Sequence, residues 1–372
     1  NKAIKTTKTR LLKDDPGLTA YSLSDEKTFD ITIGDRVLSE EIVSGGRVPV
    51  YSANVYEEFG RIDKENMKDY SRPSVIWGID GDWMVNIIPA GVPFYPTDHC
   101  GVLRIKTEKI LPEYMMYALQ AEGEYERFSR NNRASAQRIR SLVVQAPETK
   151  IQKNIIDELK ALDDKINGQN AEIEKYENSI RTKFDQIFHL EEFISDGVFS
   201  KYEGYSVEDL CIDGRGRVIN QQYIENHKGP YPVYSSQTTN DGIFGSIDTF
   251  DFDGEYITWT TDGAKAGTVF YRNGKFNCTN VCGTLKAKND KVNMRYLAYL
   301  LNRIAYKFVS RVGNNKLMND AMKKIVVPVP KRQLQDEFAD FVQSVEKSKF
   351  ECIGKKEKFE IEKDTFVHKY FR

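Results

Sequence analysis

From Ile151 onward the apolar residues Ile155, Leu159, Leu162, Ile166, Ile173, Tyr176, Ile180, Phe184 and Ile187 recur at spacings of four and three, with one polar position skipped. That spacing lays a single apolar stripe along a helix, the seam of a coiled coil. A looser version of the stripe returns at Leu334, Phe338, Phe341, Val345, Cys352, Phe359 and Phe366. Pro147 and Pro330 stand just ahead of the two patterns, where a proline ends a loop without removing a backbone donor that the helix needs. A helix over roughly residues 149 to 189 would be on the order of 60 Å long and could not bury its seam alone. The two helices are therefore expected to pack on each other, antiparallel, as a rod between globular domains. Gly168 interrupts the first pattern, and a helix-interior glycine costs about 1 kcal/mol relative to alanine. The register continues past it, so one helix is expected.

Ahead of each helical stretch the texture changes. Gly, Pro, Tyr, Thr and Asn dominate, and short alternating runs such as YITWTT (256–261), GTVFY (267–271) and GTLKAK (283–288) predict short strands joined by turns, with few helices.

These textures occur twice because the chain repeats. FYPTDHCGVL (94–103) meets FNCTNVCGTL (276–285) at an offset of 182 residues, pairing Cys100 with Cys282 and Gly101 with Gly283. VPVYSAN (48–54) meets YPVYSSQ (231–237), VIWGIDGD (75–82) meets YITWTTDG (256–263), and LPEYMMYALQ (111–120) meets NMRYLAYLLN (293–302). RNNRASAQRIRSLVVQAPETKIQ (130–152) meets VGNNKLMNDAMKKIVVPVPKRQLQ (312–335), again in the same order. The expected fold is α+β: two homologous globular α/β domains separated by two long antiparallel coiled-coil helices, with internal pseudo-two-fold symmetry. The expected boundaries are 1–148 for the first domain, 149–190 for the central helix, 191–330 for the second domain and 331–372 for the C-terminal helix.

Composition narrows the setting. A chain of 372 residues suits about two or three domains. It contains no run of 18 apolar residues, and its polar, basic beginning lacks a signal-peptide core, so a cytoplasmic protein with no membrane partner is expected. Five cysteines fit a reducing compartment better than a disulfide framework. The formal net charge of −1 gives no global basic signature, although a local basic face can still supply phosphate contacts.

Catalytic and metal motifs fare poorly. Cys278 and Cys282, four residues apart, invite a zinc reading, yet Cys278 is matched in the repeat by Pro96, and His99 by Val281. Buried thiols packing a strand are expected instead, with no metal. DGRGRV (213–218) contains GxG but lacks the following glycine of a dinucleotide fingerprint, and reads as a tight turn. No phosphate loop, GxSxG elbow, HExxH helix or amino-methyltransferase tetrapeptide is present. Asp80, Asp82 and Asp262 could be imagined as a magnesium-dependent nuclease set. Asp80 and Asp262, the repeat mates, both precede glycine, where aspartate commonly caps a turn.

What remains is polar and basic: the loops after Tyr51 and Tyr234, the WTTDGAKAG stretch, and the two Asn-Asn segments. Arg and Lys there could neutralise phosphates while Asn, Gln, Ser and Thr read base edges. The candidate DNA-binding residues are Ser52, Asn54, Arg130, Asn131, Asn132, Arg133, Ser235, Gln237, Thr260, Lys265, Asn314, Asn315 and Lys316. Helix packing and partner docking are expected from Ile155, Leu159, Leu162, Ile166, Ile173, Ile180, Phe338, Phe341, Val345 and Phe359. The alternative is a scaffold or adaptor that does not bind DNA, in which a duplicated module and a coiled coil assemble a complex. Salt-insensitive or undetectable DNA affinity would favour that alternative.

The duplicated Pro-Val-Tyr-Ser turn, the Thr-Asp or Thr-Asn before a small apolar strand, the Asn-Asn segment, and VVQAPETKIQ and VVPVPKRQLQ leading into long helices carry a family resemblance. The chain resembles the specificity subunit of type I restriction-modification systems across essentially its full length. The resemblance implies a non-catalytic subunit whose two target-recognition domains each read one half of a bipartite, asymmetric site in double-stranded DNA. It implies helices that set the spacer and dock two modification subunits, with restriction subunits completing the assembly. S-adenosylmethionine, ATP and magnesium would then serve the methyltransferase and translocase-nuclease partners, leaving no cofactor on this chain. A rigid rod would work as a ruler for half-sites about one helical turn, roughly 34 Å, apart.

Overall fold

In the computed structural model, which describes residues 17–188 and 202–371, each half builds a sheet in which a tryptophan faces a glycine. In the first half, β2 (Phe29–Ile33), β8 (Cys100–Ile105), β5 (Ser74–Gly78) and β6 (Val85–Ile88) form an antiparallel sheet in that order. The period of two divides the side chains between its faces. Val75, Trp77 and Leu103 enter one core, while Ile76, Cys100 and Val102 enter another. Trp77 lies opposite Gly101 in the ladder, and a Cβ on that glycine would stand 2.1 Å from the indole ring. In the second half, β11 (Cys211–Arg215), β16 (Cys282–Ala287), β14 (Phe252–Thr260) and β15 (Val269–Cys278) repeat the order. There Trp259 faces Gly283 at 2.2 Å.

A smaller sheet accompanies each larger one. β3 (Val48–Tyr51) runs antiparallel to β4 (Gly60–Ile62) and parallel to β7 (Tyr95–Pro96). β12 (Lys228–Tyr234) likewise runs antiparallel to β13 (Ile243–Ile247) and parallel to the end of β15. The sheets of the two halves differ: β15 is a single ten-residue strand that joins both sheets into six strands, whereas its counterpart is broken into β6 and β7. Pro89 and Pro93 fall within that break, and a proline cannot donate to the ladder. β1 (Thr19–Ser22) with β9 (Val143–Ala146), and β10 (Gly204–Ser206) with β17 (Val326–Pro328), complete the strands.

Helices α1 (Pro112–Tyr125) and α2 (Ala136–Arg140) belong to the first half, and α3 spans Thr149–Phe188. The second half adds α4 (Val207–Leu210), α5 (Gln221–Asn226), α6 (Met294–Ile304) and α7 (Asn319–Lys323), and α8 spans Arg332–Phe371. The glutamine at the start of each long helix explains the Pro-to-Gln spacing. Gln152 is fully buried; its amide donates to Pro147 O at 2.7 Å and Lys109 O at 2.8 Å, and its carbonyl accepts from Leu111 N at 2.8 Å. Gln335 does the same with Pro330 O (2.7 Å), Lys291 O (3.2 Å) and Asn293 N (2.8 Å). One side chain thereby satisfies three backbone groups and ties the long helix to the one before it.

The chain divides into two compact units, one running to Ala171 and resuming at Ile353, the other from Glu172 to Cys352. Each unit therefore takes a piece of both long helices. In the first, Ile155, Leu159 and Phe371 join the core around Trp77 and Tyr114, and Lys363 bonds Asp163 at 2.5 Å. In the second, Ile180, Phe184, Phe188, Phe338 and Val345 join the core around Trp259 and Tyr296, and Lys183 bonds Glu337 at 2.8 Å. Within each unit these pairings run antiparallel.

The seam residues are consumed by this packing. Ile155, Leu159, Leu162, Ile180, Phe338 and Val345 are buried, and Ile166, Ile173, Phe341 and Phe359 are half-buried, with Lys165 over the Phe359 ring. Ile155, Leu159, Ile180, Phe338 and Val345 lie in the cores of their units, among residues of the sheets and shorter helices. The exposed apolar residues on α8 are Phe350 and Ile361, which lie off the seam.

α3 passes through Gly168 without a break, and a Cβ there would meet nothing within 4 Å. Gly168→Ala is expected to stabilise the protein by about 1 kcal/mol, read as a higher urea midpoint with unchanged slope. A fall in the midpoint would mean that the backbone at this position needs glycine.

The cysteine pair is a packing feature. Cys278 and Cys282 are buried with their Sγ atoms 3.4 Å apart. The neighbouring Cys282 thiol, then burial, push the Cys278 thiol well above its ordinary range, so it stays protonated. In peptide mapping after iodoacetamide treatment, both should remain unmodified in the native protein and react after denaturation. Rapid native labelling of either would contradict this packing.

Candidate nucleic-acid interface

Three loops converge in the second unit at the end of the Trp259 strand. The indole N–H of Trp259 donates to Leu317 O at 2.9 Å, and Leu317 N donates to Thr261 O at 3.0 Å. Gly263 N donates to Asn315 O at 3.1 Å, so the loop 261–268 lies against the segment 310–316. That segment is itself a closed turn, with Ser310 N to Lys316 O at 2.8 Å and Lys316 N to Ser310 O at 3.0 Å. Lys316 reaches the Asp262 carboxylate at 3.9 Å. The turn at 279–281 links this group to the loop after Tyr234: Thr261 N donates to Val281 O at 3.1 Å, and the Thr279 hydroxyl to Ser235 Oγ at 3.0 Å.

The first unit repeats the arrangement. Trp77 donates to Ala134 O at 2.9 Å, Ala134 N to Ile79 O at 2.9 Å, and the Thr97 hydroxyl to Ser52 Oγ at 3.1 Å. Ser129 and Asn132 close the turn with reciprocal backbone bonds of 3.1 and 3.0 Å. Asp80 lies 3.7 Å from Arg133 and 2.9 Å from His99 Nδ1. The loop after Tyr51 comes close as well, since a Cβ on Gly78 would stand 2.2 Å from Ala53 O. The repeat-mate aspartates thus each hold a cation of the Asn-Asn segment.

Several candidate readers prove to be part of this framework. Thr260 is 1% exposed; its hydroxyl donates to Lys265 O and accepts from Thr268 N, so it shapes the loop and has no surface to offer DNA. Ser52 and Ser235 are half-buried in the hydroxyl pairs just described. The Asn132 amide donates to Glu126 O and Arg127 O and accepts from Arg138, leaving no free edge. Gln237 donates to Ile243 O. Asn54 is exposed but capped onto Tyr56 N at 3.0 Å and Glu57 at 3.2 Å. Asn315 is half-buried and contributes its backbone carbonyl. Arg130, Asn131, Arg133, Lys265, Asn314 and Lys316 stand exposed on the loops.

Sequence reasoning missed Arg272. It is 5% exposed, with its guanidinium 3.6 Å from the Tyr234 ring and 4.5 Å from the Phe270 ring. It bonds the Asp241 carboxylate at 2.5 Å and Asp241 O at 2.7 Å. Asn240 and Asp241 both have positive φ, so this buried cation pins a strained turn of the loop 235–242. Nothing in the local pattern FYRNG marks Arg272 as different from a surface arginine. The sequence offers His99 only as a possible metal ligand; its bond to Asp80 arises because Gly78, the end of the Trp77 strand, pairs with Cys100.

A sequence model described as the type I restriction modification DNA specificity domain matches residues 28–175 and again 200–363. The chain belongs to this family of DNA sequence-recognition subunits. Its repeated match coincides with the two copies of the sheet, the turn and the long-helix start. The Mycoplasma pneumoniae protein named type I specificity subunit S.MpnORF365P is 39% identical over 212 residues, which is 56% of this chain and 77% of that protein. The specificity subunit of the type I restriction enzyme MpnII, from the same organism, is 48% identical over 147 residues, 39% of this chain and 44% of that protein. A crystal structure of a type I restriction-modification S subunit from M. genitalium has the same fold, with a TM-score of 0.62 at 18% identity, covering 97% of this chain and 98% of that one. Among the described residues of this specificity subunit, no helix is long and apolar enough to cross a membrane.

Proposed function

We propose that each unit of this specificity subunit reads one half of a bipartite, asymmetric site in double-stranded DNA. The observation that carries the reading is the duplicated pair of pinned loops, each presenting cations: Arg130 and Arg133 in the first unit, Lys265 and Lys316 in the second. Loops held by reciprocal backbone bonds lose little entropy on binding, so their side chains meet phosphates and base edges in a fixed register. Asp80 and Asp262 lie 3.7 Å from Arg133 and 3.9 Å from Lys316 and orient those cations.

In this proposal α3 and α8 set the spacer, and two modification subunits dock on outward helix surfaces such as those bearing Phe350 and Ile361. Methyl transfer and restriction belong to the modification and restriction partners, with S-adenosylmethionine, ATP and magnesium bound there, in the cytoplasm. This chain supplies the sequence reading and no bond-making step.

The test is the salt dependence of binding by the complex reconstituted with its modification subunits. Affinity for its site should fall steeply with salt on a double-logarithmic plot, and Arg133→Ala or Lys316→Ala should each reduce the slope by about 1. Binding that is undetectable or indifferent to salt would favour the adaptor reading.

A further inference from the structure

We propose that Val312 reads the C5-methyl group of a thymine in the major groove of the half-site bound by the second unit. The inference rests on the DNA-reading function proposed above and assigns one base-contacting residue within it.

Val312 is 92% exposed, more than any other large apolar side chain among the described residues. A single exposed apolar residue is ordinary on a protein surface; the position of this one is not. It sits within the turn closed by Ser310 and Lys316, followed by Gly313 at φ 75°, a conformation that glycine adopts without a Cβ clash. The turn is anchored on its C-terminal side, where Gly263 N donates to Asn315 O and Leu317 N donates to Thr261 O. Exposed cations, Arg311 and Lys316, lie on either side of the valine in the chain. A turn that would draw phosphates therefore presents a largely exposed isopropyl group. Valine is β-branched, so its side chain has few rotamers to lose on contact.

The first unit supplies the comparison. Its homologous turn is shorter, with Ser129 and Asn132 bonded reciprocally over four residues where Ser310 and Lys316 enclose seven, and its exposed residues are Arg130 and Asn131. The second unit inserts Val312 and Gly313 between the arginine and the Asn-Asn pair that both turns share. Arginine matches the guanine edge and asparagine the adenine edge, whereas an aliphatic group matches only the thymine methyl, which is displayed in the major groove.

Methylation mapping with the reconstituted complex first fixes the second half-site. Each thymine there is then replaced by uracil, which removes only the methyl, and dissociation constants are measured for the wild-type and Val312→Ala complexes at one salt concentration. At one position, uracil should weaken wild-type binding about three- to five-fold, the loss expected for one buried methyl. Val312→Ala should bind the thymine duplex more weakly by a similar factor and show no further loss with uracil, with an unchanged melting temperature. Full uracil sensitivity in Val312→Ala, or no sensitive thymine in the second half-site, overturns the assignment while leaving sequence-specific binding intact. Absence of sequence-specific binding by the wild-type complex overturns both this assignment and the DNA-reading function.

Discussion

Leucine in place of Gln335 is expected to destabilise the second unit by on the order of 3 to 6 kcal/mol, the largest single-residue effect anticipated in the chain. Gln335 is 0% exposed and bonds three backbone groups, two carbonyls and one N–H. Leucine fills much the same volume but removes the partner of three backbone groups, Pro330 O in a buried bond and Lys291 O and Asn293 N in part-buried ones, and a buried group so orphaned costs about 1 to 3 kcal/mol. The loss has a local consequence, because the N–H released belongs to Asn293, whose own side chain caps α6 at Arg295 and Tyr296. Hydrogen exchange should accelerate at residues 293–301 before it does so elsewhere in the unit. Gln152→Leu should do the equivalent to the start of α1 through Leu111. A stability change below about 1 kcal/mol would show that water or backbone adjustment replaces the glutamine.

Replacing residues 191–330 with the corresponding region of another family member should change one half-site completely and leave the other half and the spacer intact. The physical ground is that the cores are separate: Trp77 with Leu103 and Tyr114 in one unit, Trp259 with Leu285 and Tyr296 in the other. The loops that bear Lys265 and Lys316 are anchored within the second unit. The graft must keep the contact that joins the domain to its helices. Phe184, Phe188 and Phe338 pack on the ring of Tyr296 or Tyr299, with centroids 4.7 to 6.0 Å apart across that cluster. A donor region lacking aromatic residues at those two positions should fold poorly for this reason, whatever its DNA preference. Alteration of both half-sites by a well-folded graft would contradict the modular reading.

The large-scale organisation was legible in the sequence because it follows from period. The seam from Ile155 to Ile187 has the spacing of a helix packed along one face, and α3 is that helix, continuous through Gly168. The repeat was legible because the same contacts recur at the same offset: Trp77 and Trp259, Gly101 and Gly283, Gln152 and Gln335. Individual site residues were less legible, because a polar side chain in a loop looks the same whether it faces solvent or holds the loop. Thr260, Ser52, Ser235 and Asn132 are of the second kind, and only the fold shows their partners. Arg272 went unnoticed for the same reason: its value lies in Asp241, 31 residues away, and in the rings it touches. The break between β6 and β7 was written in Pro89 and Pro93, but its effect depends on the unbroken β15 with which it is compared.

The central claim, that this chain specifies a bipartite DNA sequence, is tested most directly by base-resolution mapping of N6-methyladenine in cells that co-express it with its cognate modification subunits and otherwise lack that methylation. The account predicts a single asymmetric motif in two parts, separated by a spacer of fixed length and unspecified sequence. Absent or random methylation, or one uninterrupted motif, would contradict it.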